Sequence, residues 1–198
     1  MPAPATPVRD VYHHGDLRRA LLGAARALLE ESGPAALNLR EIARRVGVSA
    51  PSAYHHFASL DAIAEALAEQ GFTELTEQLE TAPINFKGQL APMGMAYIAF
   101  ARANPGLYRL MFGEGFRRAS KEGLAVYALR KRAYERTLTN LQKRLPAEEA
   151  PAAALFLWSL THGLALLMID GQIESSADPE AMISSVLRLA GTGIPPAA

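Results

Sequence analysis

A short stretch of hydrogen-bonding side chains over residues 49–55 has the composition needed to contact the edges of nucleic-acid bases. Serine, tyrosine and histidine alternate there with alanine and proline, which are small enough to allow close approach to base edges or thymine methyl groups. The segment consists of Ser49, Ala50, Pro51, Ser52, Ala53, Tyr54 and His55. Just upstream, Arg40, Arg44 and Arg45 carry the charge and the reach for phosphate contacts. These residue types predict DNA recognition.

Two short helices joined by a glycine-containing turn are predicted to position these side chains. Asn38 is a suitable N-cap for a helix over residues 39–46, and Glu41 is spaced to complete a capping box. Ser49 caps a second short helix that has Pro51 in its first turn, where the missing N–H costs nothing. Such a pair forms a helix-turn-helix, whose second helix enters a major groove while the first lies across the backbone.

The alternative for any two helices around a glycine turn is an ordinary helical hairpin with polar residues facing water. Here both helices have capping signals, and the second combines an early proline with aromatic residues. Because these features occur together, the helix-turn-helix is the favoured interpretation.

The remainder of the chain also has helical periodicity, with apolar residues recurring at spacings of three and four and without strand-like alternation or internal repeats. Further helices are predicted near residues 17–31, 60–82, 86–103, 106–112, 117–145, 148–169 and 178–190. The sequence thus predicts an all-α fold of about nine helices. We expect a disordered arm over residues 1–10, a helix-turn-helix domain over 11–60 and a second helical domain over 61–198.

Composition excludes several classes of protein but not a DNA-binding one. The 198 residues include no cysteine, which excludes a disulfide framework, a cysteine-ligated zinc site and a thiol nucleophile. The 20 basic and 20 acidic residues balance, yet such a sum says nothing about where the charges lie. Residues 1–60 hold seven arginines and five acidic residues, so DNA binding there would depend more on paired helices and hydrogen bonds than on bulk charge.

The strongest charge segregation lies outside the predicted DNA-binding domain. Residues 61–82 contain six acidic residues and no basic one, whereas residues 115–145 contain nine basic residues and two acidic ones. The basic run over 117–144 has three interpretations: a solvated helix face, a subunit contact with the acidic fourth helix, or an attraction for an anionic ligand.

Neither a targeting signal nor a membrane span is predicted. Residues 1–7 contain three prolines and no apolar run, unlike a secretory signal. The most apolar stretch, residues 155–169, is about 15 residues long, whereas a membrane helix needs roughly 20. We therefore expect a buried helix there and a cytoplasmic protein with no membrane partner.

An enzyme is the competing interpretation from another class. No His-Glu-x-x-His, phosphate-binding glycine loop or Gly-x-Ser-x-Gly motif occurs. Adjacent histidines point to different sides of a helix, and the evenly spaced acidic residues at 61, 65 and 69 fit a solvated face better than a metal site. We predict no catalytic residue, no metal site and no cofactor. A helical interaction protein that has lost its DNA target is a third possibility, which a binding assay would separate.

Residues 39–57 closely resemble the DNA-binding signature of the tetracycline-repressor (TetR) family, and residues 12–17 are similar to the start of the first helix in one branch of it. The resemblance covers residues 12–70. It implies a homodimer with a three-helix DNA-binding domain and a larger helical domain for ligand binding and dimerisation. It also implies repression at a pseudo-palindromic double-stranded DNA operator, relieved by a small-molecule inducer.

Matched position by position, the recognition helix of the family corresponds to Ala50, Pro51, Ser52, Tyr54 and His55, of which Tyr54 and His55 match the usual phosphate and groove contacts. One departure concerns Leu60, where the family commonly has a phosphate-binding lysine. Backbone affinity would then depend more on Arg40, Arg44, Arg45 and the helix N-termini. We expect a salt dependence shallower by about one unit of slope than in a lysine-bearing relative.

A second resemblance extends into the C-terminal domain. Residues 158–163 resemble a Trp…His-Gly motif of one group of these domains, and residues 105–112 are similar to the segment before their long seventh helix. Trp158 and His162 share one helix face, and Gly163 would allow close approach of another backbone. They are either a packed tryptophan with a core histidine or part of a ligand-cavity wall. The other candidates for that wall are Tyr97, Phe100, Tyr108, Met111, Phe112, Phe116, Tyr127 and Phe156.

The last two predicted helices carry more apolar surface than a single helical face needs. The residues concerned are Ala152, Ala153, Leu155, Phe156, Met182, Ile183, Val186, Leu187 and Leu189. In the TetR family the corresponding helices of two subunits form a four-helix bundle. The resemblance therefore implies a homodimer formed through the last two helices.

Overall fold

The computed structural model describes residues 14–82, 91–113, 124–143, 145–173 and 178–192. Within these ranges the chain forms nine α-helices and one 3-10 turn, and no strand. The helices are α1 His14–Ser32, α2 Leu39–Val46, α3 Ala50–His56, α4 Leu60–Thr81, α5 Ala91–Ala103, α6 Pro105–Phe112, α7 Leu124–Gln142, α8 Ala150–Ile169 and α9 Pro179–Thr192. The all-α prediction is confirmed. The predicted arm over residues 1–10 and the predicted helical residues 86–90 and 117–123 lie outside the described ranges.

Local signals set the boundaries of α2 and α3 as predicted. The Asn38 side chain accepts hydrogen bonds from the N–H groups of Arg40 and Glu41, at 2.9 and 3.4 Å. α2 ends at Gly47, whose φ of +77° is the left-handed conformation that favours glycine. Ser49 Oγ accepts from the N–H of Ser52 at 3.3 Å and caps α3.

One continuous cluster of buried side chains joins the helix-turn-helix to the following helices. Leu21, Ile42 and Phe57 fix α1, α2 and the end of α3, and the same cluster continues through α4 and α6 to Phe72 and Leu107. The predicted boundary between residues 60 and 61 therefore crosses a shared core, because α4 packs against both halves. The domain limits themselves stay a prediction.

In the C-terminal half, α8 packs against α5 and α7, and α7 also packs against α4. α9 covers α5 through a small buried group formed by Ile98, Ile183 and Leu187. α6 lies between α1 and α4, so it contacts the helix-turn-helix on one side and the C-terminal helices on the other.

The contact between α6 and α1 is close at the backbone. A Cβ built on Gly106 would lie 2.3 Å from the Leu29 carbonyl oxygen, so only glycine fits there without a shift. The Glu30 carboxylate accepts from the backbone N–H groups of Gly106 and Leu107, at 2.8 and 2.9 Å. Arg26 of the same helix donates to the Asn104 side chain at 2.7 Å. Polar bonds and close backbone packing thus fasten α6 to α1.

α8 is longer than the sequence suggested. With 20 residues it is, among the described helices, long and apolar enough by length and composition to cross a membrane. The expectation of about 15 residues was wrong because the helix starts at Ala150, five residues before the most apolar stretch. Its packing against α5 and α7 and its buried Thr161 fit a core helix.

Candidate nucleic-acid interface and buried aromatic cluster

The side chains predicted to contact bases lie mainly on the outer face of α3. Ser49, Pro51, Tyr54 and His55 are exposed, with Tyr54 at 53% exposure. Ala53 is fully buried and holds the helix against the core. A short, anchored helix thus presents one aromatic, one imidazole and one hydroxyl side chain to solvent. Ala50 and Ser52 are half-buried beside them.

Arg18 of α1 holds the C-terminal end of α3. Its Nη1 donates to the backbone carbonyl of His56 at 3.0 Å, and its guanidinium lies 4.2 Å from the centre of the Phe57 ring. A cation is favourable both at a helix C-terminus and over an aromatic face. Sequence reasoning missed Arg18 because its hydrogen-bond partner is 38 residues away and no spacing rule connects them.

The three arginines of α2 have different environments. Arg40 is exposed and forms no ion pair with any residue in the described ranges. Arg44 donates from Nε and Nη2 to the two carboxylate oxygens of Glu41, both at 2.7 Å. Arg45 donates to Glu31 of α1 at 2.9 and 2.7 Å and to Glu41 at 3.1 Å. Two of the three predicted phosphate-binding residues are therefore paired with carboxylates.

These pairs also correct the predicted capping box. Asn38 caps α2 as expected, but Glu41 directs both its oxygens to arginines instead of back to the Asn38 N–H. Hydrogen bonds from Arg44 and then Arg45 lower the pKa of Glu41 to about 2. The Glu41 carboxylate thus stays ionised and compensates the positive charge of α2 across the neutral pH range.

A cluster of aromatic rings lies where α5, α6, α7 and α8 meet. The ring centroids of Tyr97 and Trp158 are 5.6 Å apart, and those of Phe112 and His162 are 4.7 Å apart, both edge-to-face. Phe112 also contacts Phe72 of α4, and Tyr134 of α7 contacts Trp158. Edge-to-face contacts of this kind favour a fixed geometry. Four of the predicted wall residues, together with Tyr108, are brought together here.

Three polar atoms form a triangle within this cluster. His162 Nδ1 lies 2.5 Å from the Tyr108 hydroxyl and 3.2 Å from the Tyr97 hydroxyl, and the two hydroxyls are 3.0 Å apart. Burial lowers the pKa of His162 and raises the pKa of both tyrosines, so all three groups are neutral at pH 7. A neutral imidazole that accepts at Nδ1 carries its proton on Nε2.

Beside the cluster is a small cavity of about 10 Å³, the size of one water molecule. None of its lining residues is charged: Leu79, Met93, Gly94, Tyr97, Thr137, Leu157, Trp158 and Thr161. Among the predicted wall residues, Tyr97 and Trp158 therefore face both the cavity and the aromatic cluster.

The remaining candidates for the cavity wall lie elsewhere. Phe100 and Met111 are buried in the main core. Tyr127 is 57% exposed, with the Arg130 guanidinium 5.4 Å from its ring centre. Phe156 is 48% exposed on α8, and Phe116 lies outside the described ranges. The periodic pattern identified aromatic positions but not the faces on which they lie.

The expected close approach at Gly163 is wrong within the protomer. A Cβ built there meets nothing within 4 Å. The tight contacts occur instead at Gly106 against Leu29 and at Gly94 against Leu187. Sequence alone does not distinguish these glycines, because the distinction depends on which helix packs opposite each one.

Part of the basic run pairs with the acidic fourth helix inside one chain. Arg136 of α7 lies 3.7 Å from Glu80 of α4, and these two helices pack along their length. Lys131 pairs with Glu135 one turn away on its own helix. Arg117, Arg118, Lys121 and Arg144 lie outside the described ranges. No group of three or more metal-binding side chains occurs among the residues that the structure describes.

The apolar residues of the last two helices divide into two sets. Ile183 and Leu187 are buried against α5 within the chain. Five others are exposed, on α8 and α9, with exposed fractions between 40% and 63%: Leu155, Phe156, Leu167, Met182 and Leu189. A row of large apolar side chains left in water on two helices is typical of an interaction surface.

Comparison with known proteins places both halves of the chain. Residues 21–67 match the profile of bacterial regulatory proteins of the tetR family, and residues 90–190 match that of tetracyclin repressor-like C-terminal domains. The chain is 31% identical to an HTH-type transcriptional regulator of Bacillus subtilis over 96 residues, which are 48% of this chain and 50% of that protein. The match thus spans about half the length of that relative.

Solved structures show the same fold over nearly the whole chain. A protein from Rhodococcus sp. RHA1 has a TM-score of 0.80 and 30% identity, with 96% of this chain and 100% of that one covered. A tetR-family transcriptional regulator from Streptomyces coelicolor has a TM-score of 0.74 at 22% identity, covering 92% and 81%. With both halves matched, the chain belongs to the tetracycline-repressor family of DNA-binding transcriptional regulators.

Proposed function

We propose that the protein is a homodimeric repressor that binds a pseudo-palindromic operator through residues 50–56 and leaves it when a small molecule occupies the C-terminal domain. The observation that carries the proposal is the outer face of α3. Tyr54 and His55 project from a helix that Ala53 and Arg18 hold in place. Rigid presentation of hydrogen-bonding side chains is what direct readout of a major groove requires.

A salt-controlled mobility-shift assay on the intergenic DNA upstream of the gene tests DNA binding. Tyr54→Ala should weaken binding by roughly tenfold or more, since one good base or phosphate contact is worth about 1–3 kcal/mol. Tyr127→Ala is the matched control, because Tyr127 is exposed to a similar degree but lies on α7. Absence of a shift at low salt, or equal losses in both variants, would contradict the proposal and favour a helical interaction protein without a DNA target.

Dimerisation is supported by the exposed apolar side chains of α8 and α9. A charge at Leu155 or Leu189, which are 58% and 63% exposed, would be buried unpaired in a four-helix interface. We expect sedimentation at micromolar concentration to give a dimer for the wild type and a monomer for Leu155→Asp combined with Leu189→Asp. Tyr127→Asp, on the surface of α7, should remain a dimer. A monomeric wild type would refute this part of the proposal.

Ligand binding is supported by the uncharged cavity beside the aromatic cluster. A cavity of about 10 Å³ is far below the roughly 300–1,000 Å³ of a typical ligand site, so a ligand has to displace side chains to enter. The lining offers no charge to compensate a buried ion, which favours a ligand that is neutral where it contacts Trp158 and Tyr97.

α6 is the element through which such displacement would reach the DNA-binding helices. Its residues Tyr108 and Phe112 belong to the aromatic cluster, while Gly106 and Leu107 at its other end are bonded to Glu30 of α1. A ligand that separates Tyr108 from His162 would therefore move a helix that is fastened directly to α1. The differential contact of the ligand with the two states supplies the energy for release.

Release is tested by adding neutral compounds, chosen from the metabolites of neighbouring genes, to the mobility-shift assay. Thr137→Leu places a larger apolar side chain in the cavity wall and should preserve DNA binding while abolishing release. A circular dichroism melt checks that this variant remains folded. Release that persists unchanged in folded Thr137→Leu would exclude this cavity as the ligand site.

A further inference from the structure

We propose that Glu41 is an intramolecular competitor for the DNA backbone. Its carboxylate occupies the guanidinium of Arg44 and thereby lowers the sequence-independent part of DNA affinity. The inference rests on the proposed function of α2 and α3 as the DNA-contacting helices. It assigns to an acidic residue inside the helix-turn-helix the role of setting how strongly the phosphate contacts contribute.

The geometry of the pair makes the competition direct. Arg44 uses Nε and Nη2, one edge of its guanidinium, to bind both oxygens of Glu41 at 2.7 Å. The same edge suits bidentate contact with a phosphate, because carboxylate and phosphate oxygens have similar spacing. The Arg44 side chain is 72% exposed, so a phosphate approaching from solvent has access to it. Arg44 cannot offer this edge to both anions at once.

Arg45 fixes the competitor in place. It donates through both terminal nitrogens to Glu31 of α1, and its side chain is only 26% exposed. From this anchored position its Nε donates to Glu41 at 3.1 Å. Glu41 is therefore held by one arginine that belongs to the packing between α1 and α2 and presented to another that faces solvent.

The arginines of α2 thus have three roles. Arg40 is exposed and has no ion-pair partner within the described ranges, so it is available to DNA at no cost. Arg44 is available only when its pair with Glu41 opens. Arg45 serves mainly to join α2 to α1. The mild charge of residues 1–60 therefore understates how finely the local charges are matched at the predicted DNA-facing helix.

Glu41→Gln tests the proposal on a random-sequence duplex of roughly 30 base pairs, long enough for two half-sites. Because an exposed pair is weak, we expect binding to tighten by about threefold to fivefold per protomer. The slope of log K against log salt should become steeper by about one unit per protomer, as one more phosphate is neutralised. The intergenic duplex should gain by the same factor, since phosphate contacts carry no sequence information.

Two controls separate this mechanism from simple loss of a negative charge. Glu31→Gln removes an equal charge from the same domain but leaves the pair between Arg44 and Glu41 intact, and it should leave the salt slope unchanged. In an Arg44→Gln background the Glu41→Gln change should no longer tighten binding, because the group that it frees is absent. Thermal melts of each variant establish that the compared proteins are folded.

The outcomes distinguish the inference from the proposed function. A wild type that shifts no duplex at low salt contradicts both. A wild type that binds, with folded Glu41→Gln that binds no tighter, overturns the role of Glu41 alone. The same conclusion follows if Glu31→Gln produces an equal gain, or if the gain survives removal of Arg44.

Discussion

The Glu30 carboxylate on α1 caps α6 at Gly106, with Oε2 2.8 Å from the Gly106 nitrogen. Its other oxygen accepts from the next N–H, that of Leu107, so one side chain satisfies two of the free donors at the start of the helix. A negative charge also interacts favourably with the positive end of the α6 dipole. The N-cap of a C-terminal helix is thus supplied by the first helix of the chain.

Loss of this cap should destabilise the contact between α1 and α6. Glu30→Ala removes both hydrogen bonds, and we expect the free energy of unfolding to fall by about 1–2 kcal/mol, as for other N-cap losses. Urea denaturation measures the change. Glu31→Ala is the neighbouring control, whose exposed pair with Arg45 should contribute at most about 1 kcal/mol. Equal losses at the two positions would argue against the cap.

Two glycines of similar appearance in the sequence should respond oppositely to alanine. Gly106→Ala pushes a methyl group into the Leu29 carbonyl, which is backbone and cannot rotate away, so we expect a loss of roughly 3 kcal/mol or more. Gly163→Ala meets open space within the protomer and should raise stability by up to about 1 kcal/mol through helix propensity. Thermal denaturation gives both values. A loss at Gly163 would show that a second protomer lies against it.

The two tyrosines of the polar triangle should differ in their contribution. Tyr108→Phe removes the donor closest to His162 Nδ1 and leaves a partly buried acceptor with a longer bond, at a cost of about 1–3 kcal/mol. Tyr97→Phe keeps the bond between Tyr108 and His162 and should cost about 0.5–1.5 kcal/mol. Denaturation curves of the two variants compare them, and the reverse order would show that Tyr97 is the main partner.

His162 should make the folded state sensitive to acid. Burial lowers its pKa below the ordinary value of 6.5, so the unfolded chain binds a proton more readily than the folded one. The stabilisation is therefore complete above pH 6.5 and is lost as pH falls through the lower folded pKa. Unfolding free energies at several pH values test this. His162→Gln should reduce the loss between about pH 6.5 and pH 5, and an unchanged profile would refute the assignment.

Leu60 offers a test of backbone contacts at the start of α4. The family commonly has a lysine at the corresponding position, and Leu60 is the first residue of α4, capped by Ser59. We expect Leu60→Lys to steepen the salt dependence of DNA binding by about one unit per protomer. Shift assays over a salt series compare the slopes of the two proteins. Identical slopes would contradict a phosphate contact from this position.

Local chemistry explains why the helix-turn-helix could be predicted so closely. Asn38, Gly47 and Ser49 act on backbone atoms within three or four residues of themselves, so their effect can be deduced from sequence. The Glu30 cap and the Arg18 contact connect residues 76 and 38 positions apart, and no local pattern announces them. Only the packing of α1 against α3 and α6 creates these partners.

The candidate ligand site was predicted less completely for a related reason. Helical spacing showed correctly that Trp158 and His162 share a face, and both lie in the aromatic cluster. Spacing does not say which side of α7 faces the core, and Tyr127 is therefore on the surface. Similarly, Glu41 was assigned to the cap of α2, because the competing arginines are also within one turn of it and spacing alone cannot rank the two partners.

Trp158 is the sole tryptophan of the 198 residues, and it stands at the boundary between the cavity and the aromatic cluster. All indole emission of the protein therefore originates at one known place. Entry of a molecule beside it, or separation of the rings around it, would change the intensity or the wavelength of that emission. The chain thus carries its own optical probe at the candidate site, suitable for screening compounds without a label and without knowledge of the operator.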